Sequence, residues 1–417
     1  MKKTDLIKLS VGQIGNAMAF MVMFLFLPKY YESTVFAGYE LAYTLSYLVI
    51  TISFTAGAIT YLFAGYLSDR TRTRWGKRRP FFLLVIPSGI AYLFLGIVIP
   101  SFSIIAMFIF FSIMASIYAV LYRLEYCAFW SLYMDLTAPE ERITTSIIFN
   151  LFGTVGTISA LVLTPVLEKF LSYFHITLIV GTLFIGSVLF AFLLGPRENL
   201  DKLGQVDTST SFFKTIKQTV SDRNFRYYLL ASFFFVLGYS ISVLILIPFL
   251  KDQATDLLGM LPFVIPIAVA YFIIYGRLAK AWGRLKTFKF AMRIGILIIP
   301  ITIFLVAGSI PLLFIQTLLI ILMLLFVVIA ILTFQYAILM DLAPSGKEST
   351  YSGVYLFIIV IPIPISSSLT GPILDLLSFD FFIWSGTSFS YAVIFLITFT
   401  FLFVSYFFLR KIQAKEN

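Results

Sequence analysis

Charged and aromatic residues share one apolar run, residues 103–133, in the order Tyr122-Arg123-Leu124-Glu125-Tyr126, with Trp130 following. In a helix, Tyr122, Tyr126 and Trp130 fall on one stripe at i, i+4 and i+8, and Arg123 flanks that stripe. Aromatic faces stack on sugar rings, and a guanidinium donates paired hydrogen bonds to hydroxyls or carboxylates. We therefore expect these four residues to bind a small-molecule substrate. The alternative is that the stripe only packs between helices and that Arg123 forms a structural interhelical pair.

Glu125 is the second charge in this run. It lies about 200° around the helix from Arg123, so the two cannot pair as helix neighbours do. Arg123 is roughly 15 Å from the end of the run, near the middle of a bilayer core of about 30 Å. Charges at that depth are costly and need partners on other helices or in a cavity. A carboxyl in such a place favours its neutral form, which makes Glu125 the candidate for proton coupling.

Other polar side chains interrupt apolar runs and are further candidates for substrate binding. They are Gln13, Asn16, Asn150, Tyr239 and Gln335. Each could equally form a hydrogen bond between helices.

These residues must be positioned by membrane-spanning helices. The chain has 417 residues, of which 60% are hydrophobic and 12% charged, which is far from the roughly 25% charged residues of soluble domains. A span needs about 20 apolar residues. We predict twelve spans, at roughly 6–30, 37–67, 81–99, 103–133, 143–165, 175–194, 227–250, 257–276, 287–308, 311–339, 349–373 and 384–409.

The distribution of basic residues predicts the orientation. With the N-terminus inside, all but four of the 30 Lys and Arg fall on the inner side, the exceptions being Lys29, Lys169, Lys251 and Arg123. The positive-inside rule then places both termini in the cytoplasm and the protein in the cell membrane. The net charge of +10 is explained by these short inner loops, so we expect membrane lipid and no nucleic acid as a partner.

The two halves of the chain repeat. Trp75-Gly76-Lys77 returns as Trp282-Gly283-Arg284, and Met134-Asp135-Leu136 returns as Met340-Asp341-Leu342. Six spans in each half give a parallel repeat about an axis along the membrane normal. We predict an all-α membrane protein with a six-helix bundle at 1–195, a cytoplasmic linker at 196–226 and a second six-helix bundle at 227–417. Phe212, Phe213, Ile216 and Val220 in the linker have helical spacing and predict an interfacial amphipathic helix.

The strongest local motif follows the second span and runs from Gly65 to Pro80, as GYLSDRTRTRWGKRRP. Asp69 ends that span, where a carboxylate can accept hydrogen bonds from the N-terminus of a facing helix near residues 348–350. We expect Arg70, Arg72 and Arg74 to pair with Asp135, Glu140 or Glu141. Our gating candidates are Asp69, Arg70, Arg72, Arg74, Gly76, Asp135, Arg142 and Asp341. The alternative is that the basic residues of this loop, Lys77, Arg78 and Arg79 above all, only anchor the topology.

This motif resembles the inner-loop signature of the glycoside–pentoside–hexuronide:cation symporters and of the plant sucrose–proton symporters, both of the major facilitator superfamily. Phe129-Trp130-Ser131-Leu132 is similar to the end of the sugar- and cation-binding helix of the melibiose carrier in that family. The resemblance implies a major facilitator fold and transport of a sugar or glycoside.

The chain departs from that family at its cation site. Sodium-coupled members have two acids on the second helix, and those positions here are Gly57 and Tyr61. The family's acid on the fourth helix would fall at Tyr126, next to Glu125. Sodium coupling is therefore not expected, and protons become the candidate coupling ion.

We accordingly expect a monomeric secondary transporter without cofactor or metal. An uncoupled facilitator or a carrier of another organic solute is the alternative within this class. A transporter-like sensor stays open as well. A membrane enzyme would need clustered catalytic groups. One His, one Cys and no acid pair within a span argue against it.

Overall fold

The computed structural model describes residues 3–99, 101–198, 212–252, 257–307, 313–343, 348–369 and 387–413. Within these ranges the chain is helical apart from short turns and one isolated bridge between Thr73 and Gly76.

The helices follow the predicted spans closely. The N-terminal set is α1 (Thr4–Val35, with π-helical turns at Val22–Phe26 and Tyr31–Val35), α2 (Ala42–Arg70), α3 (Arg79–Gly96), α4 (Ile104–Leu136), α5 (Arg142–Leu167) and α6 (Tyr173–Leu194). A linker helix, Phe212–Ser221, confirms the helix predicted there. The C-terminal set is α7 (Arg223–Asp252), α8 (Leu257–Trp282), α9 (Arg284–Ala307), α10 (Leu313–Leu342), α11 (Glu348–Val360, continuing to Leu369) and α12 (Thr387–Arg410).

Among the described residues, nine helices are long and apolar enough to cross a bilayer. This makes the chain an integral membrane protein. The other three predicted spans are also helical, as α7, α9 and α12. The helix order therefore agrees with twelve spans, and that number stays a prediction.

Small residues bring the N-terminal helices close together. A Cβ at Gly156 of α5 would fall on the backbone of Ile14, and a Cβ at Gly15 would lie 2.7 Å from the Cα of Phe184 in α6. Backbones that approach this closely are typical of helix packing in membranes, where dispersion contacts replace the hydrophobic effect. α1 is therefore fixed between α5 and α6, and its polar residues are held against α4.

The repeated Trp-Gly motif is a pair of equivalent turns. Gly76 has a φ of +108° and Gly283 has a φ of +85°, a region that residues with a Cβ rarely adopt. Each glycine reverses the chain between two helices, α2 and α3 in the first half and α8 and α9 in the second. The turns lie at the end of the bundle that also carries Asp135 and Asp341, which we call the charged end.

Candidate functional site

α4 presents the predicted aromatic stripe. The Tyr122 and Tyr126 rings stack with centroids 5.4 Å apart, and the Tyr126 and Trp130 centroids lie 6.2 Å apart. Trp130 also meets Tyr336 of α10 edge-on at 5.2 Å. Tyr126 is the member of the stripe that keeps partial exposure, while Tyr122 and Trp130 are buried. The stripe thus runs from the interior of the N-terminal set to its contact with the C-terminal set.

Glu125 is fully buried on the side of α4 that faces α1. Among the described residues, neither of its carboxyl oxygens has a hydrogen-bond partner, and neither has the side-chain amide of Asn16. Asn16 is also fully buried, and its amide lies beside the Glu125 carboxyl without a hydrogen bond of good geometry. An ionised carboxylate without partners would be very costly in such a place, so this environment suits a protonated carboxyl.

Gln13 extends this polar group by one turn of α1. Its amide nitrogen donates to the Tyr126 hydroxyl over 3.0 Å, while its oxygen is buried without a partner in the part of the chain described. The indole nitrogen of Trp130 is likewise unpartnered there. α1 and α4 therefore hold a cluster of buried polar atoms with spare hydrogen-bonding capacity, which we call the α1–α4 polar cluster: Gln13, Asn16, Glu125, Tyr126 and Trp130.

Arg123 lies on the opposite side of α4 in an aromatic cage. Its guanidinium carbon is between 4.8 and 5.3 Å from the ring centroids of four residues. They are Phe20 of α1, Phe54 and Tyr61 of α2, and Tyr122 of α4. Arg123 is only 3% exposed, and among the described residues no carboxylate binds it. Cation–π attraction therefore replaces an ion pair as its compensation.

The two α2 positions that carry acids in sodium-coupled relatives both contact Arg123. Its Nη1 donates to the Tyr61 hydroxyl over 3.2 Å. A Cβ at Gly57 would lie 3.1 Å from Cγ of Arg123 and 3.3 Å from Nε. Gly57 therefore provides the space that the Arg123 side chain fills.

α5 and α10 meet along a polar seam. Asn150 donates to the backbone oxygen of Leu332 over 2.7 Å, and Ser146 donates to that of Thr333 over 2.9 Å. Asn150 was a substrate candidate in the sequence, and the structure places its amide between the two helix sets.

Asp341 ends this seam at the charged end. Its carboxylate accepts from Arg142 of α5 over 3.0 Å and from Arg284 of α9 over 2.6 Å. Arg142 belongs to the N-terminal set, so this ion pair joins the two sets. Both residues were gating candidates, and the structure brings them together.

Asp69 and Asp135 share the buried guanidinium of Arg78. The distances are 2.6 Å from Nη2 to Asp69 and 3.2 Å from Nε to Asp135, and Lys77 binds Asp135 over 3.2 Å. Burial alone would lower the pKa of Arg78, but the two carboxylates raise it above its ordinary value. Arg78 is 1% exposed and binds both carboxylates, so it organises the turn.

The partners expected for Asp135 need correction. Asp135 is bound by Lys77 and Arg78 rather than by Arg70, Arg72 or Arg74, because the chain reverses at Gly76 and brings the later basic residues back to α4. Arg70 lies over the Tyr66 ring, Arg74 lies over the Trp75 ring, and Arg72 donates to the backbone oxygen of Asp69. Asp69 is bound by Arg78. The partner expected for Asp69 near residues 348–350 includes side chains outside the described set.

Glu198 is a residue of this end that the sequence reading missed. Its carboxylate accepts the backbone N–H groups of Arg78 over 2.9 Å and of Arg79 over 3.4 Å, and thereby caps the start of α3. A Cβ at Gly76 would fall on this carboxylate. One signal was available for Lys77, because the repeated motifs match Lys77 with Arg284 and Asp135 with Asp341, and both pairs form.

Gln335 and Tyr239 lie in the C-terminal set, apart from the α1–α4 polar cluster. Gln335 accepts hydrogen bonds from Tyr228 at its backbone oxygen and from Tyr355 at its side chain, over 2.7 and 3.2 Å. It lines a small pocket between α7, α9, α10, α11 and α12. Tyr239 of α7 stacks on Phe235. In the part of the chain described, no cluster of three or more metal-ligating side chains occurs.

The fold and these contacts define a polytopic α-helical membrane transporter. The chain belongs to the family described as "MFS/sugar transport protein", whose model matches residues 9–410. This confirms the resemblance to the major facilitator superfamily. Among proteins of curated function, none matches the chain.

Solved structures with this fold include a bacterial homologue of the iron transporter ferroportin in an outward-facing state. It is 12% identical, the match covers 99% of each chain, and the TM-score is 0.70. The human organic anion transporter MFSD10 (TETRAN) is 15% identical, with 96% of this chain and 100% of that chain covered and a TM-score of 0.67. At such identities the likeness concerns the fold alone, and it confirms the predicted fold class.

Proposed function

We propose that this protein is a secondary transporter that moves a sugar or glycoside across the cell membrane by alternating access, coupled to protons through Glu125. The observation that carries the proposal is the α1–α4 polar cluster. It combines an aromatic stripe with buried donors and acceptors that lack partners within the described chain. The family described as "MFS/sugar transport protein" supports the same solute class.

The solute-binding wall consists of Tyr126, Trp130 and Gln13, with Asn16 behind them. Sugar rings offer apolar C–H faces that suit aromatic stacking, and their hydroxyls both donate and accept hydrogen bonds. The Gln13 oxygen and the Trp130 indole nitrogen supply one acceptor and one donor. Tyr122 and Arg123 support this wall from inside the N-terminal set. Tyr239 and Gln335 are the candidates that the C-terminal set contributes.

Two features support protons as the proposed coupling ion: α4 holds a buried carboxyl, and two positions of α2 lack the acids that sodium would need. Glu125 is a fully buried carboxyl, and Asn16, which interacts with it, is neutral. Gly57 and Tyr61 carry no carboxylate for sodium, and Arg123 already fills the space beside them. A proton neutralises Glu125 without needing a metal-binding geometry, and release follows when water reaches the carboxyl.

The charged end forms the proposed cytoplasmic gate. The Arg142–Asp341 ion pair and the α5–α10 seam hold the two helix sets together there. The turn formed by Gly76, with Arg78 bound to Asp69 and Asp135, keeps α2, α3 and α4 as one unit. Opening toward the cytoplasm then requires separation of Arg142 from Asp341, while the contacts inside each set persist. We propose that one chain suffices for this cycle, as a monomer with both termini in the cytoplasm.

A second candidate solute is an organic anion. Arg123 carries a positive charge within α4 with no carboxylate bound among the described residues, and MFSD10, one structural neighbour, is named an organic anion transporter. A sugar acid would combine a ring that stacks on aromatic side chains with a carboxylate that pairs with a guanidinium.

Counterflow in proteoliposomes tests the solute class, because it requires binding and exchange but no ion gradient. Vesicles preloaded with one unlabelled solute are offered the labelled form, across a panel of neutral sugars, glycosides and sugar acids. We expect exchange of a sugar or glycoside. Trp130→Ala should lower the apparent affinity about fivefold, since stacking on an aromatic ring contributes about 1 kcal/mol. Trp282→Ala, at an exposed turn, is the matched control. Exchange of no sugar, or equal affinity in both variants, contradicts the proposal.

A further inference from the structure

A group of basic residues collects at one edge of the charged end, where α7 begins, α9 passes and α12 ends. We call this group the basic rim: Arg223, Arg226, Lys289, Arg293, Arg410 and Lys411. Direct contacts join these elements. The Lys289 ammonium donates to the backbone oxygens of Arg410 and Ile412, over 3.3 and 2.7 Å. The side chain of Asn224 exchanges two hydrogen bonds with the backbone of Gln413.

The basic rim has no acidic counterpart in the described part of the chain. None of its six members forms an ion pair there. The nearby acid, Asp222, accepts the backbone N–H of Phe225 over 2.8 Å and so caps α7. The positive charges of the rim are therefore compensated by solvent, by aromatic rings or by a ligand.

The equivalent edge of the N-terminal set is different. By the repeat of the Trp-Gly turns, the residues that correspond to Lys289 and Arg293 are Phe82 and Ile86. Lys77 and Arg78, in the turn before that edge, are bound to acids, whereas Arg70 and Arg74 lie over aromatic rings. The positive-inside rule requires basic residues on this side, but it does not require them within α9 at positions that are apolar in α3.

The rim also lies at the boundary of the membrane. Arg293 is about 14 Å along α9 from Arg284, it is exposed, and its Nε donates to the Tyr406 hydroxyl over 2.9 Å. Lys411 lies over the Phe407 ring at 4.2 Å. Next to them, exposed Leu297 and Phe403 present apolar surface outward, as lipid-facing residues do. Long basic side chains beside tyrosine at such a boundary suit the level of lipid headgroups.

We propose that the basic rim is a binding site for an anionic phospholipid. The phosphate and the net negative headgroup lie among Arg293, Lys411 and Arg223, and the acyl chains lie along Leu297 and Phe403. A zwitterionic lipid offers the same phosphate but adds a cation that the rim repels. The site is separate from the α1–α4 polar cluster. The test of lipid binding therefore does not depend on which solute the protein transports.

Lipid titration of the full-length protein in detergent tests this site. Short-chain phosphatidylglycerol and phosphatidylcholine are added, and the apparent affinity is taken from the shift of the melting temperature. Each basic residue near an anionic lipid surface contributes about fivefold to binding, so Arg293→Gln with Lys411→Gln should weaken phosphatidylglycerol binding about thirtyfold. The control removes two charges from the exposed end of α8, as Arg277→Gln with Lys280→Gln, and should leave the affinity unchanged.

Three results would overturn the proposal. They are equal affinity for the two lipids, equal weakening in the rim and control variants, and full competition by glycerol phosphate, which would assign the rim to soluble phosphate. If the variant without Arg293 fails to fold, Arg223→Gln with Arg226→Gln replaces it, because neither side chain makes a hydrogen bond to another helix in the described structure. Undiminished phosphatidylglycerol binding in that variant counts against the site.

Discussion

The ion pair between Arg142 and Asp341 joins the two helix sets at the charged end. Asp341→Asn keeps the shape of the side chain and removes its charge. The same change at Asp135, its equivalent in the repeat, removes a carboxylate that binds only residues of its own set. If alternating access requires separation of the sets at this end, only the first change should favour opening.

The expected size of the effect follows from the exposure of the pair. The Asp341 side chain is 38% exposed and that of Arg142 is 22% exposed, so solvent screens the attraction across their 3.0 Å contact. Exposed ion pairs contribute between about 0.2 and 1 kcal/mol, and this half-exposed pair belongs to the upper part of that range, about 0.4 to 1 kcal/mol. The Arg284–Asp341 pair stays within one set and does not resist opening. We therefore expect Asp341→Asn to raise the open population at this end about two- to fivefold.

A cysteine in the α5–α10 seam reports this opening. Cys127 is the one cysteine of the chain and is buried, so Cys127→Ala gives a clean background. Thr333→Cys places a thiol at a fully buried position of the seam, and its rate of alkylation by a water-soluble maleimide measures exposure. The rate should rise two- to fivefold with Asp341→Asn and stay unchanged with Asp135→Asn. High salt should reduce the difference, since screening weakens the pair in the unsubstituted protein. Equal rates in both variants, or a difference that salt does not reduce, would refute the reasoning.

Two further predictions concern glycines and have matched controls within the chain. Gly57→Val should destabilise the protein by about 1–3 kcal/mol, because the valine side chain would press on the Arg123 cage. The measurement is the melting temperature, and Gly186→Val, where nothing lies within 4 Å, controls for helix propensity. Equal melting temperatures of the two variants would contradict the cage. Gly76→Ala should lower the stability of the protein more than Gly283→Ala does. Both changes cost about 1–2 kcal/mol because an alanine must adopt a positive φ, but only the first displaces the Glu198 carboxylate. Equal losses of stability would show that the Glu198 cap contributes nothing.

The helix order could be predicted from the sequence because a bilayer imposes one strong rule. Each span must be a helix of about 20 apolar residues, and most of the chain consists of apolar runs of that length. The linker helix at Phe212–Ser221 also followed from helical spacing alone. The domain limits at 1–195, 196–226 and 227–417 stay predictions.

The candidate site was harder to predict from the sequence. Periodicity shows which residues share a face of a helix, but it does not show which helix packs against that face. The spacing placed Arg123 and Glu125 on opposite sides of α4, and the structure has them so. It could not show that four rings surround Arg123, because Phe20 and Phe54 are ordinary apolar residues in the sequence. The sequence also could not show that Asn150 bonds across the α5–α10 seam, and its role as a substrate ligand stays a prediction.

Accumulation driven by a proton gradient tests the central claim most directly. Proteoliposomes that are acidic outside and free of sodium are offered the labelled sugar identified by counterflow, with the unsubstituted protein and with Glu125→Gln. The account predicts that the unsubstituted protein concentrates the sugar above its outside level, and that Glu125→Gln exchanges the sugar at equilibrium but does not concentrate it. Accumulation by Glu125→Gln, or accumulation that needs sodium and ignores the proton gradient, would contradict it.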